Sequence, residues 1–177
     1  MPKKIENIRE HLLLETKRQI AEQGYAKTTV RSVAGACGLA VGTVYNYFTS
    51  KEMMIAAFVL EDWKKELAAM ASCPKDDPKG LLFCIYSSLI YFSRSNKKLF
   101  SDADAAKVIS IGFSARHRML RDQIAALVQP ICPEKDGGPD AFCAQFAAEA
   151  LISWAMEGKE FDELYRMLSK LIQESSI

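Results

Sequence analysis

Between Gly42 and Lys51 the chain reads GTVYNYFTSK, which places two tyrosine hydroxyls, threonine and serine hydroxyls, a carboxamide and an ammonium within ten residues and no carboxylate among them. Groups of this kind donate hydrogen bonds to anionic oxygens and to the polar edges of planar rings. They contain no acid–base pair or nucleophile–base pair of the sort that turns over a substrate. Phe48, with no polar atom to offer, reads as the residue that buries the end of the segment.

Such groups act together only if short helices present them. The first segment repeats apolar residues at Ile5, Ile8, Leu12 and Ile20, with Thr16 in the gap, the three-to-four spacing of one helix face. Gly24 closes it, because glycine takes the left-handed conformation at low cost, and Tyr25 folds back onto the apolar face. Two short helices follow, separated by Gly38, with Thr28 or Thr29 capping the first. Ala34 is small where the helices cross, Gly38 allows the bend, and Val44 pins the second helix to the first. That is the pattern of a helix-turn-helix.

A helix-turn-helix puts its second helix into a major groove. Thr43 and the backbone at Gly42 then lead toward base edges, Tyr45 faces a base or its sugar, and Asn46 and Tyr47 reach phosphates. Lys51, opening the next helix, adds its charge to the positive end of that helix's dipole as a phosphate clamp. Thr28 and Thr29 bring hydroxyls to the backbone on the other side. Thr49 and Glu52 read as a capping box for the helix that begins there.

The charge is distributed to match. The formal net charge is +1, but through Lys51 there are eight Lys and Arg against four Asp and Glu, and the remainder has 15 against 18. A basic first third on a mildly acidic body suits a polyanion at one end.

Beyond Lys51 the chain is a string of helical blocks, broken at CPKDDPKG and PICPEKDGGP, with no alternating strand pattern. In DAFCAQFAAEALISWAMEG, Phe142, Phe146 and Ala150 form one row and Cys143, Ala147, Leu151 and Trp154 an adjacent one. An apolar surface that broad suggests burial on two sides, one of them against a second copy. Five cysteines without a C-x-x-C pair read as reduced, mostly buried thiols. A glycine-rich phosphate loop, an H-E-x-x-H pair and a serine elbow are missing from the sequence, and two isolated histidines suggest no metal, so neither an enzyme nor a cofactor is expected. No apolar run is long enough to span a bilayer, so the expected location is cytoplasmic, with no membrane partner.

In combination, the Gly-Tyr pair, Thr-Thr-Val, Ala34, Gly38, GTVYNYF and SKE within IAEQGYAKTTVRSVAGACGLAVGTVYNYFTSKEMM closely resemble the DNA-binding segment of TetR-type (TetR/AcrR) transcriptional regulators. The resemblance covers roughly the first 50 residues. It implies an all-α homodimer, with a helix-turn-helix DNA-binding domain at 1–50 and a helical ligand-binding and dimerisation domain at 51–177, the last two helices pairing between copies. By position, Thr28, Thr29, Thr43, Tyr45, Asn46, Tyr47 and Lys51 match the family's DNA contacts, beside the backbone at Gly42. Asn46 stands where histidine is common. Ala40-Val41 departs from the frequent Ser-Lys, which removes a hydroxyl and a cation from the tip of the recognition helix.

The function this implies is a ligand-responsive regulator, most simply a repressor, held on a pseudo-palindromic duplex operator and released by a small molecule. A helical small-molecule-binding or scaffold protein that does not use its head on DNA is the alternative. Tyr86, Phe113, His117 and Trp154 are the candidate ligand-binding residues, with Phe92 and Met119 as further apolar lining. His117, beside Arg116, Arg118 and Arg121, belongs either to a solvated basic face or to an anionic-ligand site.

Overall fold

A computed structural model describes the backbone of residues 7–110 and 113–173, and the side chains of 7–107 and 117–172. Ile5 therefore lies outside the described residues, as do the side chains of Phe113 and Arg116. The described residues form ten α-helices: α1 Ile8–Gln23, α2 Val30–Ala36, α3 Val41–Tyr45, α4 Lys51–Ala71, α5 Pro78–Ser95, α6 Lys97–Phe100, α7 Ala103–Ser110, α8 Phe113–Val128, α9 Ala141–Glu157 and α10 Phe161–Gln173. The fold class is all-α. Where the sequence suggested only a breaker, Glu134–Lys135 and Gly138–Pro139 pair as a small antiparallel hairpin. Asp136 and Gly137 both take positive φ at its tip, the conformation a two-residue hairpin turn requires.

The chain divides into two compact units, Met1–Trp63 with Asn96–Ile111, and Lys64–Ser95 with Gly112–Ile177. In the first, Leu12, Leu13 and Ile20 of α1 share one core with Val33, Ala34, Val44, Phe48, Met54, Ile55 and Phe58. Thr16 is fully buried in that core and donates its hydroxyl to the Leu12 carbonyl at 2.7 Å. The helix-turn-helix thus packs on the first half of α4 as well as on α1, and its unit runs past residue 50. Leu99 and Ala105, from α6 and α7, complete the same core. Lys98 donates to the Ala21 carbonyl at the end of α1, where the last carbonyls of a helix lack partners. The sequence reading places residues 96–111 in the C-terminal domain, because nothing in their local pattern shows which core their apolar face joins.

The cap of α4 also differs from the sequence reading by one residue. Ser50, not Thr49, accepts the N–H of the third helical residue, Met53, at 3.2 Å. Glu52 is thereby released to accept the Tyr25 hydroxyl at 3.0 Å.

In the second unit α9 is central, packed against α5, α8 and α10. Asp140 caps it by accepting the N–H groups of Phe142 and Cys143 at 2.8 and 3.2 Å, and Gly158 closes it in the left-handed region at φ 67°. Cys143, Ala147 and Leu151 are buried within the unit, while Phe142 and Phe146 remain 73% and 53% exposed. Their row of α9 is therefore uncovered in the single chain.

One expectation about the cysteines is corrected. Cys73 and Cys84 form a disulfide with Cα atoms 6.4 Å apart. They lie eleven positions apart in sequence, and only the chain reversal between α4 and α5 makes them neighbours. Cys37, Cys132 and Cys143 remain thiols. Burial, then the hydrogen bond with Cys143, pushes the Cys132 thiol up to about 12.

Candidate nucleic-acid interface

The interface begins with the backbone of the α2–α3 turn. Gly38 has φ 66°, which an L side chain adopts only with strain. That bend lets the Leu39 N–H reach the Ala34 carbonyl at 2.9 Å. Ala34 and Val44 are both fully buried; a larger residue at 34 would lift α3 from α2, and a polar one at 44 would leave it unpinned.

With α3 held this way, its other side faces solvent. Tyr45 and Tyr47 are 51% and 45% exposed, Asn46 and Gly42 are exposed, and Thr43 is half-buried. Phe48 is 5% exposed and lies in the core. α3 is only five residues long, and Asn46 and Tyr47 sit in the turn beyond it, held by N–H bonds back to Gly42, Thr43 and Val44. A Cβ built on Gly42 meets nothing within 4 Å, so packing does not require glycine there.

Gly42→Ala is therefore expected to fold at least as well as the parent, since alanine favours a helix by up to about 1 kcal/mol over glycine. If the backbone at 42 approaches a nucleic acid closely, the same variant binds duplex more weakly while its melting temperature holds. Parallel melting and duplex-binding curves read the two effects separately.

The α1–α2 turn supplies the second set of predicted contacts, and the structure separates them. Thr29 is exposed and caps α2: its hydroxyl oxygen accepts the Ser32 N–H at 3.0 Å while the Ser32 hydroxyl accepts the Thr29 N–H at 2.9 Å. Thr28 is corrected. It is fully buried and donates its hydroxyl to the Gly24 carbonyl at 2.9 Å, so it stabilises the turn and presents no surface to a ligand. Lys27 and Arg31, both exposed, flank the threonines. The sequence reading counted them only in the charge excess, although each lies within two residues of Thr29.

Lys51 lies against the same turn. Its ammonium sits 3.6 Å from the centre of the Tyr25 ring and donates to the Tyr25 carbonyl at 3.0 Å. Tyr25, 8% exposed, is thus gripped by the first two residues of α4, through its ring and carbonyl by Lys51 and through its hydroxyl by Glu52. Burial, then the bond to Glu52, pushes the Tyr25 phenol up to about 12. Glu52 lies below the usual carboxylate range, chiefly through its own backbone N–H, with the Ser50 and Tyr25 hydroxyls adding to it.

The unfolded chain releases the tyrosine proton near pH 10, and the folded chain keeps it until about 12. This contribution to stability is whole below pH 10 and declines as pH rises toward 12. Tyr25→Phe is expected to flatten that alkaline decline and to cost about 1 kcal/mol at neutral pH for the lost hydrogen bond. Denaturant titrations across pH 7 to 12 measure both.

In the second unit the candidate ligand residues make contacts within the chain. Tyr86 is buried beside Phe161, with ring centroids 5.4 Å apart, and donates its hydroxyl to the Lys159 carbonyl. Trp154 donates its indole N–H to the Glu160 carbonyl at 2.9 Å, with the Lys159 ammonium 4.4 Å from its ring centre. Both side chains thus bond to the α9–α10 connection, at the adjacent Lys159 and Glu160 carbonyls. His117 Nε2 lies 2.9 Å from both carboxylate oxygens of Glu149. A recess of about 380 Å³ lies elsewhere, on the head, and is lined by residues that include His11, Leu14, Arg18, Cys37 and Leu39. Among the described residues no group of three His, Cys, Asp or Glu is placed to hold a metal.

The geometry agrees with comparison to known proteins. The family model described as bacterial regulatory proteins, tetR family, matches residues 12–58, from the core face of α1 to the first half of α4. The HTH-type transcriptional regulator UidR of Escherichia coli (strain K12) is 25% identical over 118 residues, 66% of this chain and 55% of that protein. Over residues 12–58 the chain matches the tetR family of bacterial regulatory proteins. Another relative, the HTH-type transcriptional repressor KstR2 of Mycolicibacterium smegmatis, is 28% identical over 87 residues, 46% of this chain and 42% of that one. The chain spans about half the length of the curated relatives it matches. Among solved structures, a transcriptional regulator from Rhodococcus sp. Rha1 superposes with a TM-score of 0.65 at 19% identity, covering 96% of this chain and 98% of that one. A TetR transcription regulator from Haloarcula marismortui ATCC 43049 gives 0.60 at 17% identity, covering 94% and 97%. At such identities the likeness shows the fold alone, and it covers both units. Among the described residues no helix is long and apolar enough to cross a membrane.

Proposed function

We propose that the chain is a transcriptional regulator that docks α3 in a major groove, acts as a homodimer on a pseudo-palindromic operator, and is released by a small molecule. The observation that carries this is the α3 surface: Tyr45, Asn46 and Tyr47 exposed around Gly42, on a helix pinned by the fully buried Val44. Thr43 and Gly42 lead toward base edges; Thr29, Asn46, Tyr47 and Lys51 go to phosphates, joined by Lys27 and Arg31. The exposed Phe142 and Phe146 on α9 support pairing of the last two helices with those of a second copy, and two heads so paired meet grooves about 34 to 36 Å apart or a multiple of that. A ligand shifts this equilibrium only if it binds the released state more tightly.

Selection of random duplexes by the purified chain near physiological salt tests the proposal. Recovery of one two-fold symmetric motif supports it, and sequence-blind binding or none sinks it. The alternative, a helical binding or scaffold protein that leaves its head off DNA, is favoured by one observation: the Lys51 ammonium is already engaged on Tyr25. Lys51→Ala separates the two roles of that residue. If Lys51 contacts a phosphate in each protomer, the variant dimer loses two contacts and its slope of log affinity against log salt becomes shallower by about 1.8. A slope that holds while the melting temperature falls assigns Lys51 to the Tyr25 turn alone.

A further inference from the structure

We propose that the Cys73–Cys84 bond is a reversible thiol switch that fastens the α4–α5 corner, opened and closed by a small-molecule thiol–disulfide couple. The corner is largely open to solvent. From Ala71 to Lys79 every residue except Cys73 is exposed, and Cys73 itself is 6% exposed. The closely packed helix pairs of this unit are α5–α9, α8–α9, α9–α10 and α5–α10, with α4 outside that set. Met70, fully buried, and the bond from Cys73 to α5 both anchor the last turn of α4. Breaking the bond leaves both helices their own backbone hydrogen bonds and frees the segment between them.

Access sets the direction of attack. Cys84 is half-buried and Cys73 buried, so an incoming thiolate meets the Cys84 sulfur first. A sulfur–sulfur bond forms between the small thiol and Cys84, the Cys73–Cys84 bond breaks, and Cys73 leaves as a thiolate that takes up a proton. Its sulfur lies 3.4 Å from the Ala69 carbonyl, so the freed thiol has an acceptor in place. A second thiolate then attacks the small-molecule sulfur of the mixed disulfide and releases Cys84. Two small thiols become one small disulfide, and two electrons and two protons reach the protein; the reverse sequence closes the switch. Cys132 and Cys143 provide the contrast, since both are thiols sealed in the core of the same unit.

The test equilibrates the full chain, without denaturant, in buffers of varied reduced and oxidised glutathione. Alkylation with mass spectrometry counts thiols, and amide exchange follows the corner. Cys73 and Cys84 are expected to gain and lose label together and reversibly, with exchange at residues 71–79 rising on the order of tenfold on reduction and α9 unchanged. Cys84→Ser should show the reduced pattern in every buffer, and Cys132→Ser should keep the full response. A bond that opens only in denaturant, or opens without changing exchange, overturns the switch. Duplex binding on the same samples keeps this separate from the DNA reading. A corner that loosens in a chain selecting no duplex leaves the switch standing and removes that reading, whereas unchanged exchange in a chain that selects duplex does the opposite.

Discussion

Tyr47→Ala is expected to keep its melting temperature and to lose duplex affinity by tenfold or more. The first half follows from exposure: the ring is 45% exposed and lies beyond the end of α3, and substitutions at such positions usually change stability by no more than about 0.5 kcal/mol. The second follows from charge. A hydrogen bond from a tyrosine hydroxyl to a phosphate is worth about 1.5 to 3 kcal/mol, and each 1.4 kcal/mol is about a factor of ten. A symmetric dimer makes the contact twice, so the loss compounds. Melting curves and fluorescence anisotropy on the selected duplex measure the two halves independently. Unchanged affinity removes Tyr47 from the contact set, and a fall in melting temperature moves it into the fold.

Val44→Asp is expected to unfold the head. Val44 is fully buried in the core that joins α1, α2, α3 and the first half of α4. A carboxylate there has no partner, and leaving a charge buried and uncompensated costs about 3 to 5 kcal/mol, a large share of the stability of a small domain. Val44→Ala removes only methyl groups and should cost about 1 to 2 kcal/mol. Amide exchange resolves the outcome by region. In the aspartate variant protection across residues 12–58 is expected to collapse, while the alanine variant keeps a folded head with a lower melting temperature. A head that tolerates aspartate would mean that α3 is not pinned through this residue. The contrast with Tyr47 is between neighbours three positions apart, one carrying the fold and the other the surface.

The redox behaviour of the corner and the alkaline behaviour of the head are read at different ends of α4. Tyr25 reports on Lys51 and Glu52 at its beginning, and Cys73 follows its last residue by two positions. Each has its own reporting residues and its own variant, so the two responses can be measured in one chain without confusion.

Features that depend on neighbours within a few residues are legible in the amino-acid order alone. The apolar period of α1, the closing glycine at 24, the bend at Gly38 and the small and apolar residues at 34 and 44 are local requirements of backbone conformation and helix contact. They made the helix-turn-helix, and the outward face of α3, legible before any coordinates. Phe48 was legible for the same reason, since a ring without polar atoms has little cause to face water. The remaining features depend on which distant segments meet. Thr28 and Thr29 are alike in sequence, yet one is sealed under the turn and the other caps α2 at the surface. Ser50 rather than Thr49 caps α4, a choice of one residue in register that pattern alone does not resolve. Residues 96–111 join the head because Leu99 and Ala105 find its core. Tyr86 and Trp154 read as pocket lining in the sequence, and the α9–α10 connection takes both of their donors. Cys73 and Cys84 become a bonded pair through a chain reversal that no count of spacings contains. Periodicity and caps are written in adjacent residues, but the partner of a buried hydroxyl, ring or thiol is set by packing across the fold.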